Sequence, residues 1–275
     1  MKNLVIGSTS QLGRYFPEEF EKISSRNIDL SSLRREWDTV YICFAEQRTY
    51  LANEKDMETQ FMSTNYDMTK EIVEELQPYC KNMVFYSTAQ LWDACVGPIS
   101  LETPFKFEEN HYTLSKLKIT ERFRDKSKYP KVSIAYPFNF NSIHRKGSYL
   151  FGKVFRSLVG NESIEIGDTY FYRELLHPKM VVDASVNHTK IGKDFIIGSG
   201  RVVYINDFIR NLYSSLGRDY ISLVKEDINT KSKYRTGIFY NETANPFCDN
   251  RKLLQMTVDE IKDLLFTIES EKEKI

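Results

Sequence analysis

Short apolar runs alternate with amphipathic stretches along the first half of the chain, and this alternation limits the fold more than any other feature. The apolar runs predict strands at residues 4–6, 39–44, 83–87 and 132–136, and the amphipathic stretches predict helices at 11–20, 57–76 and 112–125. Such alternation is typical of an α/β fold in which helices cover both faces of a parallel sheet. Ligands bind such sheets beyond the carboxyl ends of the strands, so residues there are the first candidates for a site.

The second half of the chain is less regular. It predicts helices at 149–158 and 179–188 and strands at 163–166 and 194–197. A chain of 275 residues is long enough for one large core, or for one core with a small lobe. Because no glycine-rich or proline-rich linker separates the halves, we expect them to pack tightly.

The first predicted strand is followed by a turn rich in small residues. It has the pattern G-x-x-S-x-x-G and consists of Gly7, Ser8, Thr9, Ser10, Gln11, Leu12 and Gly13. Gly7 would allow a tight turn, Gly13 would let the next helix pack closely, and N–H groups at that helix N-terminus would hold a pyrophosphate. Ser10 stands where such turns usually have a glycine. We expect no signal peptide before this strand.

Tyr112 and Lys116 stand four residues apart on a predicted helix, shortly after the strand that ends in Ser87 and Thr88. This spacing places the phenol and the ammonium on one face of the helix. A fixed positive neighbour lowers the pKa of a phenol, which would make Tyr112 a proton donor and acceptor near neutral pH. The alternative is an ordinary surface pair.

Seven segments together give the chain a resemblance to a known family. They are IGSTSQLG at 6–13, DTVYICFA at 38–45, STNYDMTKEIVEE at 63–75, NMVFYSTAQLW at 82–92, Tyr112 with Lys116, AYPFNF at 135–140 and YRELLHP at 172–178. Their order and spacing resemble the extended short-chain dehydrogenase/reductases, in the branch of nucleotide-sugar epimerases, dehydratases and 4-ketoreductases. The resemblance covers about the first 190 residues, and more weakly the rest. It implies a Rossmann-type doubly wound parallel sheet at 1–137 that binds the dinucleotide. Residues 138–275 would form a smaller substrate-binding lobe with segments returning to the core.

The resemblance also implies roles at the reacting centre. Tyr112 would exchange the proton, Lys116 would bind the cofactor ribose and lower the pKa of the phenol, and Thr88 would orient the substrate oxygen. Asn65 would support this arrangement from its helix, with a solvated helix residue as the alternative. Ala45 would let the cofactor pass over a strand end, and Ser87 would lie beside the cofactor in a structural role.

The region of the second strand, EKISSRNIDLSS at 21–32, bears on the choice of dinucleotide. Arg26 after two serines resembles a pocket for a 2′-phosphate, and Asp29 with Leu30 resembles the pair beside the adenine. No carboxylate precedes Arg26 where an NAD enzyme would bond the ribose 2′-OH. We therefore expect NADP. If Arg26 is only a surface arginine, NAD is the alternative.

By the same resemblance, Gln90, Asn139 and Arg173 would bind the substrate. The wall of this pocket departs from the family pattern, since Tyr136 replaces an arginine and 140–142 replaces a Tyr-Gly-Pro. Ala89 and Gln90 stand where dehydratases carry an Asp-Glu pair and some epimerase/reductases carry a cysteine. Neither residue exchanges protons, so elimination would require His144 or His177. The expected reaction is reduction of a 4-keto sugar nucleotide, with C4 epimerisation or C4 oxidation as alternatives and a silent regulatory subunit as a third class.

Composition adds further bounds on partners. The chain has 38 basic and 38 acidic residues. This balance lacks the basic excess that would indicate a nucleic-acid partner. No stretch is apolar for long enough to span a membrane. Cys43, Cys80, Cys95 and Cys248 form no CxxC pair, which favours reduced thiols in the cytoplasm and no metal centre. The resemblance also implies a homodimer formed through the helices at 57–76 and 112–125.

Overall fold

A six-stranded parallel sheet forms the centre of the molecule. The computed structural model describes residues 2–188, 190–227 and 237–272. The strands of the sheet, with their order across it, are β2 (Glu21–Ile23), β1 (Asn3–Ile6), β3 (Trp37–Ile42), β4 (Cys80–Tyr86), β6 (Val132–Pro137) and β11 (Phe195–Ile197). Every neighbouring pair is parallel. The order reverses beside β1, which makes the crevice between β1 and β3 the expected ligand position. This is the Rossmann-like α/β fold that the sequence predicts.

Helices cover both faces of this sheet and build the second half. They are α1 (Glu58–Met62), α2 (Thr69–Leu76), α3 (His111–Arg124), α4 (Leu150–Gly160), α5 (Pro178–Val186), α6 (Ile205–Ser215), α7 (Tyr220–Leu223) and α8 (Leu253–Lys272). Parallel strands covered on both faces read as continuous apolar runs, and the side chains of β4 and β6 are buried except Lys81. The four strands predicted in the first half are therefore confirmed, with ends shifted by a few residues.

The predicted helix at 11–20 is wrong. Only a single 3₁₀ turn, Gly13–Tyr15, forms there, and Phe16 is extended with ψ 151°. The physical reason is Pro17, which has no N–H to donate and disfavours helical backbone at the residue before it. A second 3₁₀ turn, Ser31–Leu33, is the only helical element between β2 and β3 in this described stretch. The part of the sheet that would face an adenosine is therefore built from short elements.

The predicted helix at 57–76 forms as one continuous element with an irregular centre. A π-helical turn, Ser63–Met68, joins α1 to α2, and Asn65 lies in this turn. Turns of this kind often occur at functional sites. The helix predicted at 112–125 is α3, and Asn110 caps it with reciprocal hydrogen bonds to Thr113.

The second half supplies four small two-stranded sheets and the sixth strand of the main sheet. The small sheets pair β7 (Asn139–Phe140) with β10 (Leu175–Leu176), β9 (Tyr172–Arg173) with β12 (Val203–Tyr204), β8 (Ile164–Ile166) with β13 (Val224–Glu226), and β5 (Gly97–Ile99) with β14 (Phe239–Asn241). The helices predicted at 149–158 and 179–188 and the strands at 163–166 and 194–197 correspond to α4, α5, β8 and β11. The division at residue 137 stays a prediction. None of the helices in the described ranges has the length and hydrophobicity needed to cross a bilayer.

Candidate functional site

The turn after β1 is tightly packed. Gly7 has φ +104°, and a Cβ at this position would lie 2.9 Å from the backbone nitrogen of Phe44. A Cβ at Gly13 would lie 2.1 Å from the carbonyl oxygen of Gly7. Ser10 accepts a hydrogen bond of 2.9 Å from the Gly13 N–H, so its hydroxyl fastens the turn. Gly7 thus lies in a tight turn, as expected from the sequence, whereas Gly13 packs a 3₁₀ turn against Gly7 and not the predicted helix against the sheet.

Some backbone N–H groups of this turn donate hydrogen bonds within the protein, and others are left to donate to a ligand. Gly7 and Ser8 both donate to the carbonyl oxygen of Ile23 at 2.9 Å. The N–H groups of Thr9, Gln11 and Leu12 make no hydrogen bond to other described residues. They are backbone donors for a phosphate, although the expected support from a long helix is missing because a three-residue turn carries little dipole.

The residues predicted for the adenosine end lie beyond β2. Arg26 is exposed, three residues after the strand ends, and it does not line the cavity described below. Asp29 accepts hydrogen bonds from the N–H and hydroxyl of Ser31 at 3.0 and 2.6 Å, and the hydroxyl bond holds the pKa of Asp29 below its usual value. Leu30 packs partly against the core. Asp29 thus stabilises the turn that follows β2.

Asn65 is buried and connects two parts of the site. Its amide oxygen accepts from the Glu46 N–H at 2.7 Å, and its amide nitrogen donates to the Ser115 hydroxyl at 3.0 Å. Only 1% of its surface is exposed, so it is not a solvated helix residue. The clamp fixes the segment after β3, which includes Ala45, against α3.

The residues after β4 face the same cavity. The Thr88 hydroxyl accepts from the Gln90 N–H at 3.2 Å and also interacts with the Tyr112 phenol. The Ser87 hydroxyl is 2.7 Å from that of Thr120 and so joins β4 to α3, which is a structural contact. Ser87, Thr88 and Gln90 all line the cavity.

Tyr112 and Lys116 are both buried, at 6% and 3% exposure, and both line the cavity. The structure therefore does not place them as a surface pair. Burial raises the pKa of Tyr112, and the Thr88 hydroxyl and Arg145 oppose this effect. Burial also lowers the pKa of Lys116 to about 7. Its ammonium donates to the Tyr86 carbonyl oxygen at 2.8 Å.

The predicted substrate residues approach from the second half of the chain. Asn139 and Arg173 line the cavity, and the guanidinium of Arg173 lies 5.3 Å from the centre of the Phe239 ring. The Asn139 side chain donates to the Glu174 carbonyl oxygen at 3.5 Å. Elements from both halves therefore enclose one cavity of about 310 Å³.

Neither histidine proposed as a substitute acid or base lines this cavity. His177 is buried, where it caps α5 through a 3.2 Å bond from the Lys179 N–H and lies 3.1 Å from the Glu260 carboxylate. His144 keeps much of its surface in solvent, but the covered part of its ring, followed by the nearby Arg14, lowers its pKa. His177 therefore has a structural role in this molecule, and His144 lies outside the cavity lining.

Sequence reasoning missed two residues of the site, Arg145 and Tyr149. Both line the cavity, and the Tyr149 hydroxyl donates to the Gln47 carbonyl oxygen. They lie in a loop without a recognisable spacing, so the sequence offered no signal beyond an arginine near Asn139. Lys116, Arg145 and Arg173 are the charged residues of the described lining, which contains no aspartate or glutamate.

The arrangement fits a dinucleotide. The turn after β1 offers backbone donors, the Asn65 clamp holds the Ala45 segment, and Lys116 faces the cavity beside Tyr112. These features lie along the carboxyl ends of β1, β3 and β4, where a dinucleotide crosses this kind of sheet.

Comparisons with known proteins agree with this geometry. The NAD dependent epimerase/dehydratase family matches residues 24–198, which is more than half of the chain. No curated protein matches the chain by sequence. Solved structures do match in fold. RMD from Pseudomonas aeruginosa, complexed with NADPH, has a TM-score of 0.71 at 17% identity. The match covers 88% of this chain and 90% of the RMD chain.

Two epimerase structures are also similar. The UDP-N-acetylglucosamine 4-epimerase from Methanobrevibacter ruminantium M1, in complex with UDP-N-acetylmuramic acid, has a TM-score of 0.78 at 13% identity and covers 98% of both chains. The UDP-glucuronic acid 4-epimerase from Bacillus cereus, in complex with UDP-glucuronic acid and NAD, has a TM-score of 0.77 at 17% identity. The match covers 96% of this chain and 100% of the epimerase chain. At these identities the likeness shows the fold and does not fix the reaction.

Proposed function

The chain belongs to the NAD dependent epimerase/dehydratase family, and on this premise we propose that it is an NADP-dependent reductase of a nucleotide-linked 4-keto sugar. The observation that carries the proposal is the convergence of Thr88, Tyr112 and Lys116 in one cavity at the carboxyl ends of the strands. The convergence supports proton transfer to an oxygen at this position. It also opposes a catalytically silent subunit, because such a subunit has no need of these side chains.

Each of these side chains has a distinct task in the reaction. When bound, the dinucleotide supplies a hydride to the carbonyl carbon. The Tyr112 phenol donates its proton to the carbonyl oxygen, and the Thr88 hydroxyl donates a hydrogen bond to the same oxygen. Lys116 would hold the ribose, and Arg173 would bind the diphosphate through its forked donors.

The composition of the cavity supports simple carbonyl reduction. Elimination, or epimerisation beside a ketone, requires a base that removes a proton from carbon. The described lining contains no histidine, aspartate or glutamate, and burial raises the pKa of its one thiol, Cys43, well above the usual value. Lys116, whose pKa burial lowers to about 7, is held by its hydrogen bond to the Tyr86 carbonyl oxygen, which leaves Tyr112, bonded to Thr88, as the group proposed to exchange a proton.

C4 epimerisation is the second candidate function, because it uses the same Tyr112 chemistry in both directions. An epimerase keeps its cofactor bound, whereas a reductase must exchange it. Between β1 and β3 the chain has only a short strand and two 3₁₀ turns, so little protein covers the adenosine end. This favours exchange. Nicotinamide absorbance in the purified protein would indicate retained cofactor and favour the epimerase or a C4 dehydrogenase.

Arg26 supports NADP over NAD. It follows β2 after two serines, at the strand end where these folds distinguish the two cofactors. Its side chain is exposed and its forked donors suit a phosphate. NAD remains the alternative cofactor if this arginine does not contact the ligand.

The setting of the enzyme follows from the same proposal. The four cysteines are free, which fits a reducing compartment such as the cytoplasm. The proposal includes a homodimer formed through the helical segment at 57–76 and the helix α3.

Turnover of nucleotide-linked 4-keto sugars tests the function. UDP, GDP, CDP and dTDP derivatives are first ranked by thermal shift, because a bound ligand stabilises the folded state. NADPH oxidation is then followed with those that bind.

Tyr112→Phe should reduce turnover by ~10²–10⁴-fold with little change in NADPH affinity, since only the phenolic oxygen is lost. Tyr66→Phe is the control, since Tyr66 lies in the π-helical turn and does not line the cavity. A loss below about tenfold in Tyr112→Phe would contradict the assignment.

A further inference from the structure

The carboxylate of Glu260 on α8 joins segments that lie far apart in the chain. One of its oxygens accepts a hydrogen bond from the Tyr15 hydroxyl, and the other lies 3.1 Å from Nε2 of His177. The Tyr15 oxygen also lies 3.0 Å from the Ser142 hydroxyl oxygen. Four side chains from four separate parts of the chain therefore form one polar cluster.

The direction of each hydrogen bond in this cluster follows from the partners. Nδ1 of His177 accepts from the Lys179 N–H at 3.2 Å, so the ring carries its proton on Nε2 and donates it to Glu260. Burial, and then the bond to Glu260, raise the pKa of Tyr15, so the phenol keeps its proton and donates as well. Glu260 therefore accepts from two donors at once, and the Ser142 hydroxyl donates to the phenolic oxygen.

The cluster is shielded from solvent and closely packed. His177 is 4% exposed, and Ser142 is fully buried. The Tyr15 ring meets the His177 ring edge-on, with 5.6 Å between the ring centres. The side chain of Ile261, next to Glu260 on α8, is also fully buried and holds this part of the helix in place. Breaking a hydrogen bond in such surroundings is costly, because the donor finds no water to replace its partner.

Tyr15 connects the cluster to the cofactor side of the cavity. It follows the turn at residues 7–13, named the phosphate turn below, and its N–H donates to the Leu12 carbonyl oxygen at 2.9 Å. Leu12 lines the cavity, and its own N–H is one of the backbone donors left for a phosphate. The long helix predicted after this turn does not form, so the turn lacks the packing that a helix would give it. The bond from Tyr15 to Glu260 fixes the turn instead.

The other members of the cluster adjoin the substrate side of the cavity. Ser142 follows β7, the strand that carries Asn139, and the intervening Asn141 also lines the cavity. His177 follows β10, which pairs with β7 in parallel. Glu260 therefore connects the phosphate turn to the two strands that adjoin the predicted substrate residues.

We infer that Glu260 is a positioning residue for the dinucleotide. Through Tyr15 it holds the phosphate turn against the substrate side of the cavity, in the conformation whose free N–H groups bind the pyrophosphate. The inference rests on dinucleotide binding, which is part of the proposed function, and not on the keto sugar. It gives α8, which contributes no residue to the described cavity lining, a part in cofactor affinity.

Titration of NADPH and NADH into purified variants, followed by nicotinamide fluorescence, tests the inference. Tyr15→Phe removes only the hydroxyl and should weaken both dinucleotides by the same factor, about fivefold or more, since coupling between distant sites typically changes affinity by ~5–150-fold. Glu260→Gln should weaken both as well, because an amide offers one acceptor oxygen to two donors. The double variant should be weakened by less than the product of the two single effects, because both changes break the same bond.

Asp259→Asn is the matched control, since Asp259 is an exposed carboxylate at the preceding position of α8. It should leave both affinities unchanged. Urea denaturation of each variant separates positioning from stability, and Tyr15→Phe alone decides the test if Glu260→Gln does not fold. A lower free energy of unfolding with unchanged dinucleotide affinity in Tyr15→Phe would overturn the inference. Weakening of NADPH alone would also overturn it, because the effect would then lie at the 2′-phosphate and not at the shared pyrophosphate.

The titration uses no keto sugar, so its outcome is separate from that of the turnover assay. Weakened binding of both dinucleotides in Tyr15→Phe, in a protein that reduces no keto sugar, would support the inference and refute the proposed reduction. Unchanged affinity in a variant of an active reductase would do the reverse. A wild-type protein that binds neither dinucleotide at millimolar concentration would overturn both.

Discussion

Lys116 destabilises the folded protein, because its ammonium is buried and no carboxylate belongs to the described lining of the cavity. Burial lowers its pKa from 10.5 to about 7. Between these values the unfolded chain binds a proton that the folded chain does not bind, so this group makes the wild-type protein more stable as pH rises. The buried amine therefore lowers the free energy of unfolding near neutral pH, where the site would work.

Replacing Lys116 by methionine should therefore stabilise the unliganded protein, and more so in acid. Each unit of pKa shift corresponds to ~1.4 kcal/mol, so the gain in unfolding free energy should be about 2–3 kcal/mol larger at about pH 6 than at about pH 9. Urea denaturation at both pH values measures it. Lys118→Met, on the exposed face of the same helix, should show no such difference. A gain independent of pH would mean that the buried amine is not the source.

Arg26 gives a prediction on cofactor choice. A hydrogen bond to a charged group contributes roughly 1.5–3 kcal/mol, so Arg26→Ala should weaken NADPH binding by about tenfold or more. NADH lacks the phosphate and should bind almost unchanged. Titrating both cofactors into both proteins isolates the contact between the arginine and the phosphate. Equal weakening would indicate stacking on adenine, and no weakening would favour NAD.

At the scale of elements, the carboxylate of Glu174 holds three segments together. It lies between β9 and β10 and accepts hydrogen bonds from the N–H groups of Ser199, Gly200 and Asn241, the last at 2.6 Å. Asn241 belongs to β14, which pairs with β5 of the first half. Burial raises the pKa of Glu174 to about 7 although these bonds oppose the shift. Arg173 precedes it directly, so this junction also positions a substrate residue.

Glu174→Ala should therefore destabilise the protein strongly. A buried donor left without a partner costs about 1–3 kcal/mol, and three lose theirs, so we expect a loss of about 3 kcal/mol or more. The exposed Glu242, beside Asn241, is the control and should change stability by less than about 0.5 kcal/mol when replaced by alanine. Comparable urea midpoints for the two variants would show that the Glu174 bonds contribute little.

The sequence predicted elements well where local pattern and packing agree. The strands β1, β3, β4 and β6 were predictable because their side chains are mostly buried, which gives continuous apolar runs. The helix α3 forms where it was predicted although its buried face includes Thr113, Ser115 and Lys116. The helix at 11–20 was mispredicted because periodicity was given more weight than Pro17, which ends the helix after one turn. The π turn around Asn65 had no local signal, since it depends on how the side chain meets Glu46 and Ser115.

At the scale of the whole molecule, the site draws on residues distant in the chain. Motif order was enough to predict that Thr88, Tyr112, Lys116, Asn139 and Arg173 would meet, and all five line one cavity. Arg145 and Tyr149 were missed because their approach depends on how the 141–149 loop packs on α4. Single-residue roles at this cavity stay predictions until variants are measured.

The assembly state is predicted from the outer face of α3 and its neighbouring helix. Leu114, Lys118 and Glu121 are exposed on one side of α3, and Leu114 keeps 39% of its surface in solvent. A dimer with the same patch used twice would cover them. Light scattering at micromolar concentration should then give twice the 32.3 kDa of one chain, and Leu114→Glu should return it to a monomer.

Phe266 on α8 is 72% exposed and offers a competing surface, so Phe266→Glu should leave the dimer intact. A dimer that dissociates only in Phe266→Glu would place the interface on α8, and a wild-type monomer would mean that the charged face of α3 is simply hydrated.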